Sequence, residues 1–253
     1  MLHSHTSLLS RNENHDQYEQ IYQRHDDPWD YYSAAEQAKY AKMAATAKRF
    51  HPSPKRVLDA ACSLGYLTEL MADYAPDVFA FDIAISAVQR TNERCALLNT
   101  TTKFHVELGD AVHPKYSPAS FDVVFLGDVV RNLPNDEDQH LAIRNALSLL
   151  TQNGVLILTD CMKCRRQEAY ISLVESEGGC VQERIYYNDR YWIKFRSLIK
   201  QLASANQIRM LLRNTSVHRW LSKLASLRGP AGSKHFGLVV KNHNPNFAMA
   251  STL

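Results

Sequence analysis

At 253 residues, 45% hydrophobic and 22% charged, the chain has the composition of one globular domain with room for an elaboration, which excludes a disordered or fibrous protein. No run approaches the ~18 apolar residues of a bilayer span, and MLHSHTSLLSRNENHDQ lacks the basic start and apolar core of a secretory signal, so a soluble, cytoplasmic protein is expected. Net charge is only +3, yet residues 190–234 hold ten Lys or Arg and no Asp or Glu, which marks them as a separate functional stretch.

Residues 1–24 are polar and read as a flexible N-terminus. SAAEQAKYAKMAATAKRF (33–50) combines strong helix formers with apolar residues at helical spacing, and Ser33 is a plausible N-cap. The Pro pair in HPSP (51–54) ends that helix. Short apolar runs then alternate with helical stretches. Strands are expected at 56–60, 78–82, 103–108, 121–126 and 154–159, and helices at 66–74, 85–98, 137–150 and 167–178. This alternation predicts an α/β, Rossmann-like, doubly wound parallel sheet. CVQERIYY (180–187) and HFGLVVKN (235–242) read as a terminal strand pair. The basic stretch between them predicts two amphipathic helices, at about 190–203 and 206–226. Residues 243–253 read as a flexible tail.

The functional evidence lies at the strand ends. VLDAACSLGYLTE (57–69) sits where a dinucleotide site carries G-x-G-x-x-G, yet it keeps only Gly65. Asp59, Asp82, Asp110 and Asp128 end or follow the first four strands, the last two behind Gly109 and Gly127. Four acids around one crevice repel a pyrophosphate and suit a cationic ligand bearing hydroxyls and an amino group. Asp82 lies 23 positions after Asp59, close to the ~20 expected of an acid on ribose hydroxyls. Asp110, beside Ala111, can accept from an exocyclic adenine amine, while Asp59 and the backbone of 61–65 face an amino-acid moiety. Ribose, adenine and an ammonium-bearing tail describe S-adenosylmethionine.

At this point the chain resembles the class I S-adenosylmethionine-dependent methyltransferases. Their D/E-x-G-x-G-x-G motif is read here as Asp59-Ala60-Ala61-Cys62-Ser63-Leu64-Gly65, and the resemblance continues through FDIAISAVQRTNER, GDA, FDVVFLGDVVRNLP and NGVLILTD. It implies a seven-stranded sheet ending in an antiparallel pair, an N-terminal helical cap, and a cofactor site that includes Ala61, Ser63, Gly65, Asp82, Ile83, Ala111 and Gly127. DDPWDYYSAAEQAKYA (26–41) followed by ACSLGYLTELMA is similar to the NodS-like subfamily. That similarity implies cofactor contact by Trp29 and Tyr40, and a sugar or glycoconjugate as methyl acceptor, taken at N or O. Where the subfamily usually carries an aromatic pair, this chain has Arg131-Asn132, donors suited to a carboxylate or to sugar hydroxyls.

Methyl transfer is an in-line displacement that relies on positioning, and an amine or hydroxyl nucleophile also needs a base. Asp128 is the first candidate, with helix capping as its structural alternative; His113, His140 and His235 stand behind it. Cys161-Met-Lys-Cys164 lacks a second ligand pair, so no metal is expected, and the odd total of five cysteines fits a reducing compartment. The basic stretch 190–234 reads first as lid helices. Peripheral contact with an anionic membrane presenting a lipid-linked glycan is the second reading, and a polyanionic acceptor such as RNA the third. Alternatives to the sugar enzyme are a binding module of the same fold without turnover and a methyltransferase of a natural product or RNA.

Overall fold

The computed structural model describes residues 15–161 and 167–242. A helix over 15–24 (α1) and α2 (Ala34–Phe50) precede the sheet. The chain then alternates β1 (Arg56–Ala60), α3 (Tyr66–Glu69), β2 (Asp77–Asp82), α4 (Ile85–Ala96), β3 (Lys103–Leu108), β4 (Phe121–Gly127), α5 (Asp136–Ser148), β5 (Leu150–Cys161), α6 (Gln167–Ser176) and β6 (Gly179–Tyr186). Three helices, α7 (Arg190–Leu202), α8 (Ala205–Leu212) and α9 (Thr215–Ser226), lead to β7 (His235–Asn242).

The sheet order is β3-β2-β1-β4-β5-β7-β6, parallel except for β7, which runs antiparallel to both of its neighbours. The expected seven-stranded, doubly wound sheet is therefore present. Its central strands are apolar on both faces, as burial from both sides requires. Val57, Val123, Phe125, Val155, Ile157 and Val239 pack on the α2–α3 side. The alternate residues Leu58, Val124, Leu126, Leu156, Leu158 and Leu238 pack on the α5–α6 side. Val57 and Leu58 thus serve two cores from adjacent positions, the period-2 consequence of the pleat.

Three expectations change. Residues 15–24 are helical rather than flexible, because Tyr18, Ile21 and Tyr22 recur at helical spacing and Tyr22 is buried. The helix is tied at both ends: Glu19 accepts hydrogen bonds from the Ser86 N–H and hydroxyl at the start of α4, while Arg90 donates to the Tyr22, His25 and Asp26 carbonyls. The insertion holds three helices rather than two, since Ser204 forms a capping box with Gln207 and Asn214 accepts from the Ser216 and Val217 N–H groups. Finally, the helix expected over 66–74 stops at Glu69, ahead of Asp73 at positive φ. Residues 1–14, 162–166 and 243–253 lie outside the described residues, and with them the expected tail and Cys164. Among the described residues no helix is long and apolar enough to cross a membrane, and no group of three or more ligands is placed to hold a metal.

Candidate functional site

The carboxyl ends of β1, β2, β4, β5 and β6 point to one edge of the sheet. Antiparallel β7 brings its first residue to that same edge, where His235 pairs with Cys161, the last residue of β5. The connection from β6 to β7 therefore starts and finishes beside the crevice, and the insertion covers it for topological reasons. Beneath it lies a cavity of 410 Å³, within the range of small-molecule sites.

At one end of the cavity the loop after β1 sets Ala61, Ser63 and Gly65 at φ of 60°, 53° and 73°. The glycine positions of the family motif thus keep a left-handed conformation even where this chain has Ala and Ser, at a cost of about 1 kcal/mol each. The loop is held from below, because Asp82 accepts the Ser63 and Ala84 N–H groups on its two oxygens (2.9 and 3.0 Å). Burial pushes the Asp82 carboxyl up to about 6 against these donors. Asp59, whose Oδ2 accepts the Thr68 hydroxyl at 2.6 Å, is pushed by burial up to about 7. Asp110 accepts the Val112 N–H through Oδ1, with no described donor on Oδ2.

Asp59, Ala61, Ser63, Asp82, Ile83, Asp110, Ala111 and Gly127 all line the cavity. Gly65 does not. It caps α3 in the left-handed region with its Cα against Thr91, where a Cβ would meet Cγ2 at 2.7 Å, so its role is to turn the chain and let α4 approach. Trp29 and Tyr40 line the cavity from the N-terminal side. They are joined by Tyr18, Tyr22 and Tyr31, which the sequence reading missed. The Tyr22 hydroxyl bonds Ser63 Oγ at 2.6 Å, and the Tyr31 ring lies 5.9 Å from Tyr40 and 5.5 Å from Tyr66.

The opposite end is a charge network. Lys39, 5% exposed, donates to Asp128 Oδ2 at 2.6 Å and pairs with Glu36 at 2.7 Å. The E-x-x-K-Y segment places both groups on one face of α2, three residues apart. Asp128 has φ of 57°, and the Lys39 ammonium holds its carboxyl down to about 2 despite burial. Asp128 thus stands in the site, but ionised and paired, which makes it a poor proton acceptor near neutral pH. Its Oδ1 is buried without a hydrogen-bond partner and faces His235 Nε2 at 3.8 Å. His235 Nδ1 bonds Asp189 Oδ2. His113 and His140 lie outside the cavity lining, the latter paired with Glu177.

Arg131 and Asn132 also line the cavity. Asn132 donates to the Asp128 carbonyl (2.7 Å), and Arg131 is tied through Nε to Asp160 (2.9 Å). Burial raises the Asp160 carboxyl to about 6. The insertion adds Trp192, Arg196 and Lys234 to the lining. Arg196 and Lys200 both grip Asp30, which ties the insertion to the N-terminal cap across the opening.

Residues 51–215 match the family model described as a methyltransferase domain. Nodulation protein S of Bradyrhizobium diazoefficiens is 29% identical over 154 residues, which cover 59% of this chain and 69% of that protein. The 27-O-demethylrifamycin SV methyltransferase of Amycolatopsis mediterranei is 35% identical over 107 residues, 42% of this chain and 38% of that protein. Among solved structures, the N-methyltransferase NodS of Bradyrhizobium japonicum WM9, in complex with S-adenosyl-L-homocysteine, superposes with TM-score 0.58 at 20% identity, covering 66% of this chain and 89% of that one. The [4+2]-cyclase SpnF superposes with the same TM-score at 13% identity, covering 79% and 80%, so the shared fold alone does not fix the reaction. On the family match, the sequence relatives and the fold together, the chain belongs to the class I S-adenosylmethionine-dependent methyltransferases and is NodS-like among them.

Proposed function

We propose that the protein methylates an N or O atom of a small sugar or glycoconjugate, with S-adenosylmethionine held by the strand-end acids. The observation that carries this reading is one cavity with two chemically different ends. Toward β1–β3, Asp82 lines the cavity as an acceptor for ribose hydroxyls, Asp110 Oδ2 is open to an adenine amine, and Asp59 can ionise beside an ammonium. These acceptors fit the hydroxyls, amine and ammonium of the cofactor, and Ala61 and Ser63 are small enough for its tail to lie on the loop. When bound, the cofactor supplies an electrophilic methyl group, so the protein's part is to orient the acceptor, exclude water and handle a proton.

Toward β4–β7 the lining carries the charged groups Arg131, Arg196 and Lys234, with Trp192 buried among the insertion helices behind them. Charged donors bind sugar hydroxyls, which favours a glycoside over a purely apolar acceptor. Transfer of labelled methyl from the cofactor to amino sugars, neutral glycosides, phenols and peptides tests this reading. Transfer to phenols or peptides in preference to every sugar would sink it.

A peripheral membrane contact is a second reading. Leu198, Leu202, Met210, Trp220, Leu224 and Leu227 are exposed on the insertion amid its ten basic residues. Such a surface suits an anionic bilayer that presents a lipid-linked acceptor. Flotation with anionic vesicles should recover wild type and lose Trp220→Ser/Leu227→Ser; a wild type that stays with the pellet refutes it.

A further inference from the structure

We propose that the methyl acceptor is an anion, and that its carboxylate or phosphate is held by Lys234 together with the guanidinium fork of Arg131; this deepens the methyl-transfer reading above and rests on it. The observation that carries it is a charge left over. Of the cations lining the cavity, Lys39 pairs with Glu36 and Asp128, Arg131 with Asp160, Arg196 with Asp30 and His235 with Asp189. Asp30 takes Lys200 as well. Lys234 lines the same cavity, is half-buried, and pairs with no carboxylate among the described residues.

Both cations are presented from anchored positions. Gly232 packs so closely that a Cβ would strike the Ala225 carbonyl, the buried Ser233 hydroxyl accepts the Asn188 N–H at 2.7 Å, and the Lys234 N–H donates to Asp189 Oδ1 at 2.7 Å. Lys234 thus stands on a fixed backbone two residues before Phe236, the partner of Asp160 across the β5–β7 ladder. Asp160, whose side chain is fully buried, is also what holds Arg131: Oδ2 accepts the Arg131 N–H at 3.0 Å and Oδ1 pairs with Nε at 2.9 Å. The two Nη groups of Arg131 make no hydrogen bond among the described residues. An arginine fixed at Nε with its outer nitrogens open is arranged to receive two oxygens of one carboxylate or phosphate.

The sign of the ligand's charge follows from desolvation. A neutral acceptor that displaces water from Lys234 leaves its ammonium without a counter-charge, and an acceptor ammonium adds repulsion from Lys234 and Arg131. An anion restores what the water supplied, through charge-assisted hydrogen bonds roughly twice as strong as neutral ones. The neighbouring carboxylates do not take its place, because Asp128, Asp160 and Asp189 are already engaged by Lys39, Arg131 and His235. On the glycoside reading, the acceptor class is therefore a uronoside or a sugar phosphate.

The test is transfer of labelled methyl to matched acceptors: a phenyl glucuronide and its methyl ester, a hexose phosphate and the free hexose, an amino sugar, and hydroxybenzoate and its methyl ester. Wild type, Lys234→Met and Lys234→Glu are compared, with S-adenosylhomocysteine affinity measured alongside as the check on folding and on the cofactor end. We expect wild type to prefer an acid over its neutral counterpart by about 10-fold or more in kcat/KM, chiefly through KM. The preference should fall to about unity in Lys234→Met and invert in Lys234→Glu, with S-adenosylhomocysteine affinity within about threefold. A preference for the glucuronide identifies a carboxylate, and one for the hexose phosphate a phosphate. Equal use of acid and ester by wild type, a preference for the amino sugar, or a preference for acids that survives both substitutions overturns the proposal. A loss of S-adenosylhomocysteine affinity in Lys234→Met overturns it too, by assigning the ammonium to the cofactor.

The sugar reading can fail by itself. Methyl found on hydroxybenzoate in preference to its ester, with no sugar methylated, sinks that reading and upholds the anionic acceptor. If nothing in the panel is methylated, anion binding is read directly, by titrating acetate and inorganic phosphate into protein saturated with S-adenosylhomocysteine and following the nitrogen-15 signal of the Arg131 guanidinium. A saturable shift that is lost in Lys234→Met supports the site. No saturable shift with either anion overturns it.

Discussion

Cofactor affinity should depend on pH through Asp59. Burial, reinforced by the nearby Asp82 charge and opposed by the Thr68 hydroxyl, leaves this carboxyl with a pKa of about 7 in the unliganded protein. If Asp59 must be a carboxylate to face the ammonium of the ligand, binding below that pH has to expel a proton. The sign follows from the raised value: affinity is full above about pH 7 and falls about tenfold for each unit below it. Between pH 8 and pH 5 the loss is about 100-fold, or roughly 2.7 kcal/mol, from Asp59 alone. A further factor of about ten at pH 5 enters if Asp82, with its pKa of about 6, must also ionise. Calorimetric titration with S-adenosylhomocysteine in buffers of differing ionisation enthalpy measures both the affinity and the proton released. In Asp59→Asn the slope due to Asp59 should vanish together with most of the affinity. The variant should also melt higher than wild type at about pH 8, because a carboxylate already ionised in the unfolded chain no longer has to be buried on folding. A flat affinity between pH 5 and pH 8 with no proton release would refute the placement of the ammonium at Asp59.

Four further outcomes follow from the same geometry. Ala61→Gly relieves a left-handed alanine and should stabilise the fold by about 1 kcal/mol in denaturant unfolding; a loss of stability would contradict that conformation. Arg90→Ala strips the three carbonyl contacts that hold the end of α1, and should raise amide exchange over 15–24 while weakening S-adenosylhomocysteine binding; unchanged exchange would show that the helix docks by other means. Asp128, held near 2, contributes stability that is present above its ordinary 3.8 and lost as pH falls through about 2. Acid unfolding of wild type should therefore include about 2 kcal/mol that is missing from Asp128→Asn. Trp192→Ala empties a buried site in the insertion and should destabilise that layer by about 3–5 kcal/mol; acceptor KM should suffer more than affinity for S-adenosylhomocysteine, and equal losses would argue against the insertion as the acceptor's cover.

The alternation of strand and helix, the acids at the strand ends and the small-residue loop after β1 were legible from residue types, because each is set by local periodicity or by position at a strand terminus. The doubly wound sheet and the gathering of Asp59, Asp82, Asp110 and Asp128 in one crevice follow directly. The helix over 15–24 carried a readable signal in Tyr18, Ile21 and Tyr22, but its polar composition hid it; what fixes it is Arg90, some 65 residues away in sequence. The structural demand on Gly65 was hidden for a related reason. Its glycine requirement comes from the approach of Thr91 on α4 and from a positive φ.

The chemistry at the acceptor end was decided by tertiary structure. Asp128 looks like a base in sequence because nothing local shows that Lys39, 89 positions earlier, will be buried against it. His235 looks like any histidine at the start of a strand. It becomes part of the site because β7 enters the sheet antiparallel between β5 and β6, bringing its first residue to the edge where the parallel strands end. Periodicity along the chain specifies which face a side chain takes. Strand direction and sheet order, settled only when distant segments pair, specify which charges meet and therefore which group can accept a proton.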